Sequence, residues 1–206
     1  GLVQGVMRYV TDSRAEGTAV GLGFFGLQCS ENAYAVPTVS VAPLPRNAGA
    51  LATALSVSLL TGAVNTSPML PALGGALRHA SSLANSFGVK AAVVLISDGF
   101  ESFSACPSAP ADVVQKATDG FRAIPSIETY VLAADNPLAA DPQAAARFMP
   151  LDDIAREGGT GAARRVDVAA EAQLIPTIQS ALAETLLEIQ HEAEPCDYSV
   201  TESVRL

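Results

Sequence analysis

Residues 91–96, AAVVLI, form a short, wholly apolar run bounded by Lys90 on one side and by Ser97-Asp98-Gly99 on the other. A run of that length closed by turn residues reads as a central strand buried on both faces, as in a parallel sheet covered by helices. The strand stops at Ser97, which puts Asp98 at the carboxyl edge, where open α/β sheets bind their ligands. The plainer reading of Asp98 is a cap for the turn or the next segment, because Asp-Gly is a common turn pair.

The rest of the pattern alternates between the two periods. Leu2, Val6, Tyr9 and Val10 recur at helical spacing, so the chain opens on an amphipathic helix that ends before Asp12. TAVGLGFF (18–25) predicts a strand, 26–37 a loop carrying Cys29, and TVSVA (38–42) a second strand. Pro43-Leu44-Pro45 breaks that strand, and Asn47 can cap a helix reaching Leu60. A Gly/Asn/Thr/Ser loop over 61–68 leads to a helix over 69–87 and then to the apolar strand. Beyond it the pattern predicts a loop at 99–110 with Cys106, a helix at 111–123 and a strand at 127–133. Residues 135–150 read as a loop with room for a short helix, and 151–156 as a short helix ended by Gly158-Gly159. An edge strand at 164–168 precedes a long amphipathic helix at 171–192, with Leu174, Ile178, Leu182, Thr185 and Ile189 on one stripe. From Pro195-Cys196 the tail alternates like a strand.

Strands alternating with helices imply a mainly parallel sheet with helices on both faces. The strands at 18–25 and 38–42 have only a loop between them, so one antiparallel pair is expected within it. Residues 1–192 are read as one domain and 193–206 as the start of a β extension. Gly1 falls inside a helical pattern and Leu206 inside an alternating one, so the sequence is expected to be cut from a longer chain. Targeting information would have gone with the front.

Composition narrows the function. A chain of 206 residues is enough for one sizeable α/β domain. The apolar fraction of 49% is inflated by Ala, and no apolar run approaches the ~18 residues that suggest a membrane span. A net charge of −9 disfavours nucleic acid and anionic membranes, and suits a divalent metal or a basic protein partner. Cys29, Cys106 and Cys196 show no CxxC or Cys/His spacing, so zinc is not expected.

Two glycine motifs carry no phosphate chemistry. Gly21-Leu22-Gly23-Phe24-Phe25-Gly26 matches GxGxxG, but it lies in a strand with no helix following at once, and two Phe occupy the approach a pyrophosphate needs. Gly158-Gly159-Thr160-Gly161 is followed by no Lys and reads as a helix C-cap and turn. Catalysis is thinly supplied. His79 sits in a helix, His191 suits a helix C-terminus, and neither has a nucleophile at recognisable spacing. Neither Cys106 nor Ser97 has a partner that would activate it, so no enzyme is expected.

Ser67-Pro68 before a helix is explained by capping alone, Ser67 at the N-cap and Pro68 at the first helical position. What capping leaves unexplained is its company, a Ser-Asp-Gly at a strand end. Five stretches stand in order: GLGFF (21–25), SPMLPALGGA (67–76), VLISDG ending at Gly99, TYVLA (129–133) and IAREGGTG (154–161). Together they resemble a von Willebrand factor type A domain of the bacterial extracytoplasmic kind, over most of residues 1–192. The resemblance implies a Rossmann-like sheet and a metal-ion-dependent adhesion site on its carboxyl edge. In that family Asp-x-Ser-x-Ser, a Thr before a Pro, and a Thr-Asp-Gly supply the site. Ser67 stands at the second position and Asp98 at the third, with Ser97 replacing the Thr. The first loop is absent, because Asp12-Ser13-Arg14-Ala15 does not match it and follows the first helix. The strand carrying it, between those at 18–25 and 90–97, would be missing from this chain.

The implied function is a protein-binding or adhesion module that uses Mg²⁺ or Mn²⁺, held weakly here by Ser67 and Asp98 alone. A partner's Asp or Glu carboxylate would complete the ion's shell. Glu101 is within loop reach, although a solvated acid is the plainer reading. Cys29 and Cys106 follow strands running to the same edge and could pair; Cys106 could equally pair with a cysteine upstream. Cys196 is expected toward the opposite edge. Relatives of this kind are often secreted or lipid-anchored, which implies an extracytoplasmic, bacterial setting. The alternatives are a scaffold that has lost its metal site and serves assembly, or a hydrolase on a similar sheet.

Overall fold

The computed structural model describes residues 2–61, 68–100, 106, 108–135, 144–167 and 171–193. It is a mixed α/β structure with a three-stranded parallel sheet and a two-stranded antiparallel one. In chain order the elements are α1 (Leu2–Val10), β1 (Ala19–Leu22), α2 (Glu31–Tyr34), β2 (Val39–Pro43), α3 (Ala48–Thr61), α4 (Met69–Phe87), β3 (Ala92–Ser97), α5 (Pro110–Arg122), β4 (Glu128–Asp135), α6 (Ala144–Glu157), β5 (Arg164–Asp167) and α7 (Glu171–Ala193). A 3-10 turn at Ser13–Ala15 links α1 to β1.

β3 and β4 pair in parallel from Ala92↔Glu128 to Ser97↔Ala133, and β5 joins the far side of β4. Successive side chains of a strand point to opposite faces, and here each face meets its own core. Leu95, Val131 and Ala133 pack with Met69, Leu73 and Leu77 of α4, Val113 of α5 and Leu151 and Ile154 of α6. On the other face Leu132 and Val166 pack with Val10 of α1, Leu51 of α3 and Ile178 and Leu182 of α7. Helices on both faces therefore follow from strands that place apolar side chains on both sides of the sheet, Val131 and Ala133 toward one core and Leu132 toward the other.

The centre of the parallel sheet is β4, not β3 as the apolar run suggests. β4 is buried from Glu128 to Ala134, whereas Val94 in β3 is 37% exposed. The reason is pairing, because β3 has a neighbour on only one edge among the described residues. β1 and β2 pair antiparallel as expected, with a register shift between Val20 and Leu22. Val20 and Leu22 of β1 and Ile96 of β3 pack against the same core, so the two sheets share an interior without hydrogen-bonding to each other.

Several boundaries differ from the pattern. β1 is shorter than 18–25, because its regular pairing covers only Ala19–Leu22. Asn47 does not cap α3 with its side chain; its amide donates to the carbonyls of Val20 (2.7 Å) and Ser40 (2.9 Å), tying the helix start to both strands. Residues read as loop, 144–150, belong to α6, which runs through Pro150 because Phe148, Leu151 and Ile154 are buried in one stripe. The loop at 26–37 contains α2, capped by Ser30, whose Oγ accepts from the Asn32 N–H. The tail from 194 on lies outside the described residues.

Candidate functional site

Asp98 sits directly after the last residue of β3, on an exposed turn. The turn is held from inside by its neighbours. Buried Ser97 donates its hydroxyl to the Gly99 carbonyl (2.8 Å) and accepts from the Gly99 N–H (3.3 Å). Gly99 adopts φ 142, a conformation that L side chains rarely take. Phe100 then turns back into the core beside Met69 and Phe148. Capping of this turn is thus done by Ser97, not by the carboxylate of Asp98. Among the described residues no hydrogen bond or ion pair reaches that carboxylate.

α6 holds the same turn from outside. Arg147 donates from Nη2 to the Asp98 carbonyl at 2.7 Å, and its own carbonyl accepts from the Phe100 N–H at 2.9 Å. A Cβ on Gly99 would come 3.0 Å from Arg147 Nε, so the approach uses the missing side chain. α6 is fixed in turn by buried Phe148, whose ring has Arg165 over it at 5.0 Å, and by the Arg165–Asp152 ion pair at 2.8 Å.

A disulfide joins Cys29, after β1, to Cys106, after β3. Both loops therefore belong to one end of the molecule, and Cys106 is not a free thiol. Next to it α2 packs into a notch on α4. A Cβ on Gly75 would stand 2.6 Å from the Glu31 carbonyl oxygen, and one on Gly74 would be 2.4 Å from Glu31 Cδ. Lys116 of α5 pairs with Glu31 at 2.7 Å. This notch was missed in the sequence, where the adjacent glycines inside a helical pattern were its signal.

Ser67 and Glu101 lie outside the described residues. Pro68 occupies the N-cap position of α4 itself, without a side-chain cap bond, and not the first helical position. Met69, next in the chain, lies in the same core cluster as Phe100, so the start of α4 and the Asp98 turn share an interior. His79 is half-buried in α4, with Nε2 unpartnered and no acid or nucleophile paired with it. The N–H groups of Gly158, Gly159 and Thr160 bond back to the carbonyls of Ile154, Arg156 and Ala155, so that segment closes a helix and those three donors are already used. Gly21, in β1, has Val41 and the Val39 carbonyl where a Cβ would sit, a sheet contact and not a ligand approach.

No cluster of three or more His, Cys, Asp and Glu side chains forms among the described residues. Nor is any described helix long and apolar enough to cross a membrane. What the rim offers among the described residues is the unengaged Asp98 carboxylate on a turn fixed from two sides, in a chain of net charge −9. In comparison with known proteins, no family model matches the chain and no curated protein matches it.

Proposed function

We propose that this chain is a protein-binding module of the von Willebrand factor type A kind, which uses Mg²⁺ or Mn²⁺ at the carboxyl edge of its sheet to take a carboxylate from a protein ligand. The observation that carries the reading is the Asp98 carboxylate, exposed and, among the described residues, unengaged on a turn that Ser97 already caps. A hard cation takes oxygen ligands and Mg²⁺ keeps several waters, so a carboxylate and a hydroxyl are the ligand types that suit it. Asp98 would be one ligand and Ser67 the second. With so few protein charges around it the ion stays electrophilic, which is what a carboxylate from a partner requires.

The sheet supports the finer, Rossmann-like reading. β1 and β3 each have an unpaired edge among the described residues, they share one core, and Val94 is exposed in an otherwise apolar strand. One further apolar strand between β1 and β3 would complete a single sheet, and it is the strand expected to carry Asp-x-Ser-x-Ser. The Cys29–Cys106 disulfide suits an oxidising, extracytoplasmic compartment.

The test is thermal melting of the full-length gene product with Mn²⁺ or Mg²⁺. The expected result is stabilisation that a chelator reverses and Asp98→Ala abolishes. If metal and chelator leave both melting and partner capture unchanged, the metal reading is wrong and an assembly scaffold takes its place.

A further inference from the structure

Arg147 stands far from Asp98 in sequence, yet it holds the Asp98 peptide from two directions. Its guanidinium donates to the Asp98 carbonyl and its backbone carbonyl accepts from Phe100, bracketing the Asp98-Gly99 step. Ser97 fixes the same step from the strand side through both polar atoms of Gly99. A turn so braced fixes the backbone from which the Asp98 side chain projects, and among the described residues nothing bonds to its carboxylate.

We propose that Arg147 is the positioning residue for Asp98: it sets the carboxylate where an ion can be held, and so couples α6 to the metal rim. This rests on the metal-binding reading above. Arg147 does not ligate, because a guanidinium has no lone pair to give. Its contribution is geometric, and partners that orient a metal ligand in this way change metal affinity by about 10–100-fold when removed. Lys can reach the same carbonyl as a single-point donor but cannot reproduce the planar fork.

Two measurements on the full-length protein keep the two ideas apart. Hydrogen exchange at the Gly99 and Phe100 amides should quicken by about tenfold or more in Arg147→Ala, the loss of one charge-assisted bond. Arg147→Lys should recover part of that protection. Exchange unchanged in Arg147→Ala would overturn the clamp whatever the metal does. Mn²⁺ titration should then give an affinity about 10–100-fold weaker in Arg147→Ala, partly rescued in Arg147→Lys, and none in Asp98→Ala. If Asp98→Ala abolishes binding while Arg147→Ala binds like wild type, the metal site stands and the role given to Arg147 falls. Wild-type protein that binds no Mn²⁺ overturns the metal reading and this positioning role together.

Discussion

The Lys90 ammonium lies 2.9 Å from Glu128 at the start of β3 and β4, where Glu128 is 6% exposed and also accepts from the Tyr130 hydroxyl at 3.2 Å. Removing the cation strands a buried carboxylate, which costs more than the pair itself contributes. Lys90→Met should therefore lose about 2–3 kcal/mol in urea unfolding, less than a fully buried pair because Lys90 is partly exposed. Adding Glu128→Leu to Lys90→Met should recover part of the loss, since no charge is then left behind. Asp12 titrates under the hold of its neighbours. The Arg14 side chain, then the Arg14 backbone N–H, and further on Gln179, hold its carboxyl well below the usual carboxylate range. A depressed folded pKa contributes stability above the unfolded value, ~3.9, and loses it as pH falls further. The gap in stability between wild type and Asp12→Asn should thus be full at neutral pH and shrink as acid is added below about pH 4. Tyr9 moves the other way: burial, then the neighbouring Asp12, push its phenol up to about 12.

At the level of elements, close approaches decide where helices sit. α1 crosses α7 at Gly5, where a Cβ would be 2.6 Å from Ile178 Cβ, and α2 crosses α4 at Gly74-Gly75. Gly75→Ala places a methyl 2.6 Å from the Glu31 carbonyl oxygen, and backbone cannot swing aside as a long side chain can. It should destabilise by about 1–3 kcal/mol, the scale of overpacking, and free the Glu31–Lys116 pair; thermal melting measures the first. The disulfide acts on the same end of the molecule. It closes a sequence separation of 77 residues, and the chain-entropy relation gives about 4–5 kcal/mol for a loop of that length. Cys29→Ser with Cys106→Ser, or melting under reductant, should show a loss approaching that figure.

For the molecule as a whole, two sheets share one interior, and β1 and β3 each leave an edge unpaired among the described residues. An unpaired edge in a core-lining strand is a place for another strand. If a further strand pairs there in the protein, the β3 amides should resist hydrogen exchange as those of β4 do. β3 amides that exchange far faster than β4's would leave the single-sheet reading without support.

The order and type of the main elements were legible along the chain. Apolar run, turn residues and helical stripe placed β3, α4 and α7 nearly to their observed ends, because each signal is local. The antiparallel β1–β2 pair was legible for the same reason, a connection too short for a crossover helix. What a linear pattern could not contain was each strand's neighbours: 91–96 reads as central, yet among the described residues β4 lies between β3 and β5 and Val94 is exposed, since pairing depends on residues distant in the chain. Nor could it contain that Asn47 would bond across to Val20 and Ser40 instead of capping, or that Arg147 would reach Asp98. Periodicity and turn chemistry are properties of neighbouring residues, so they specified most of the strands and helices and the turn at Asp98 that follows β3, but not α2 or the start of α6. Only in the folded chain does α6 brace the Asp98 turn, because Arg147 and Asp98 are 49 residues apart, whereas the Ser97–Gly99 bonds that cap the turn are local.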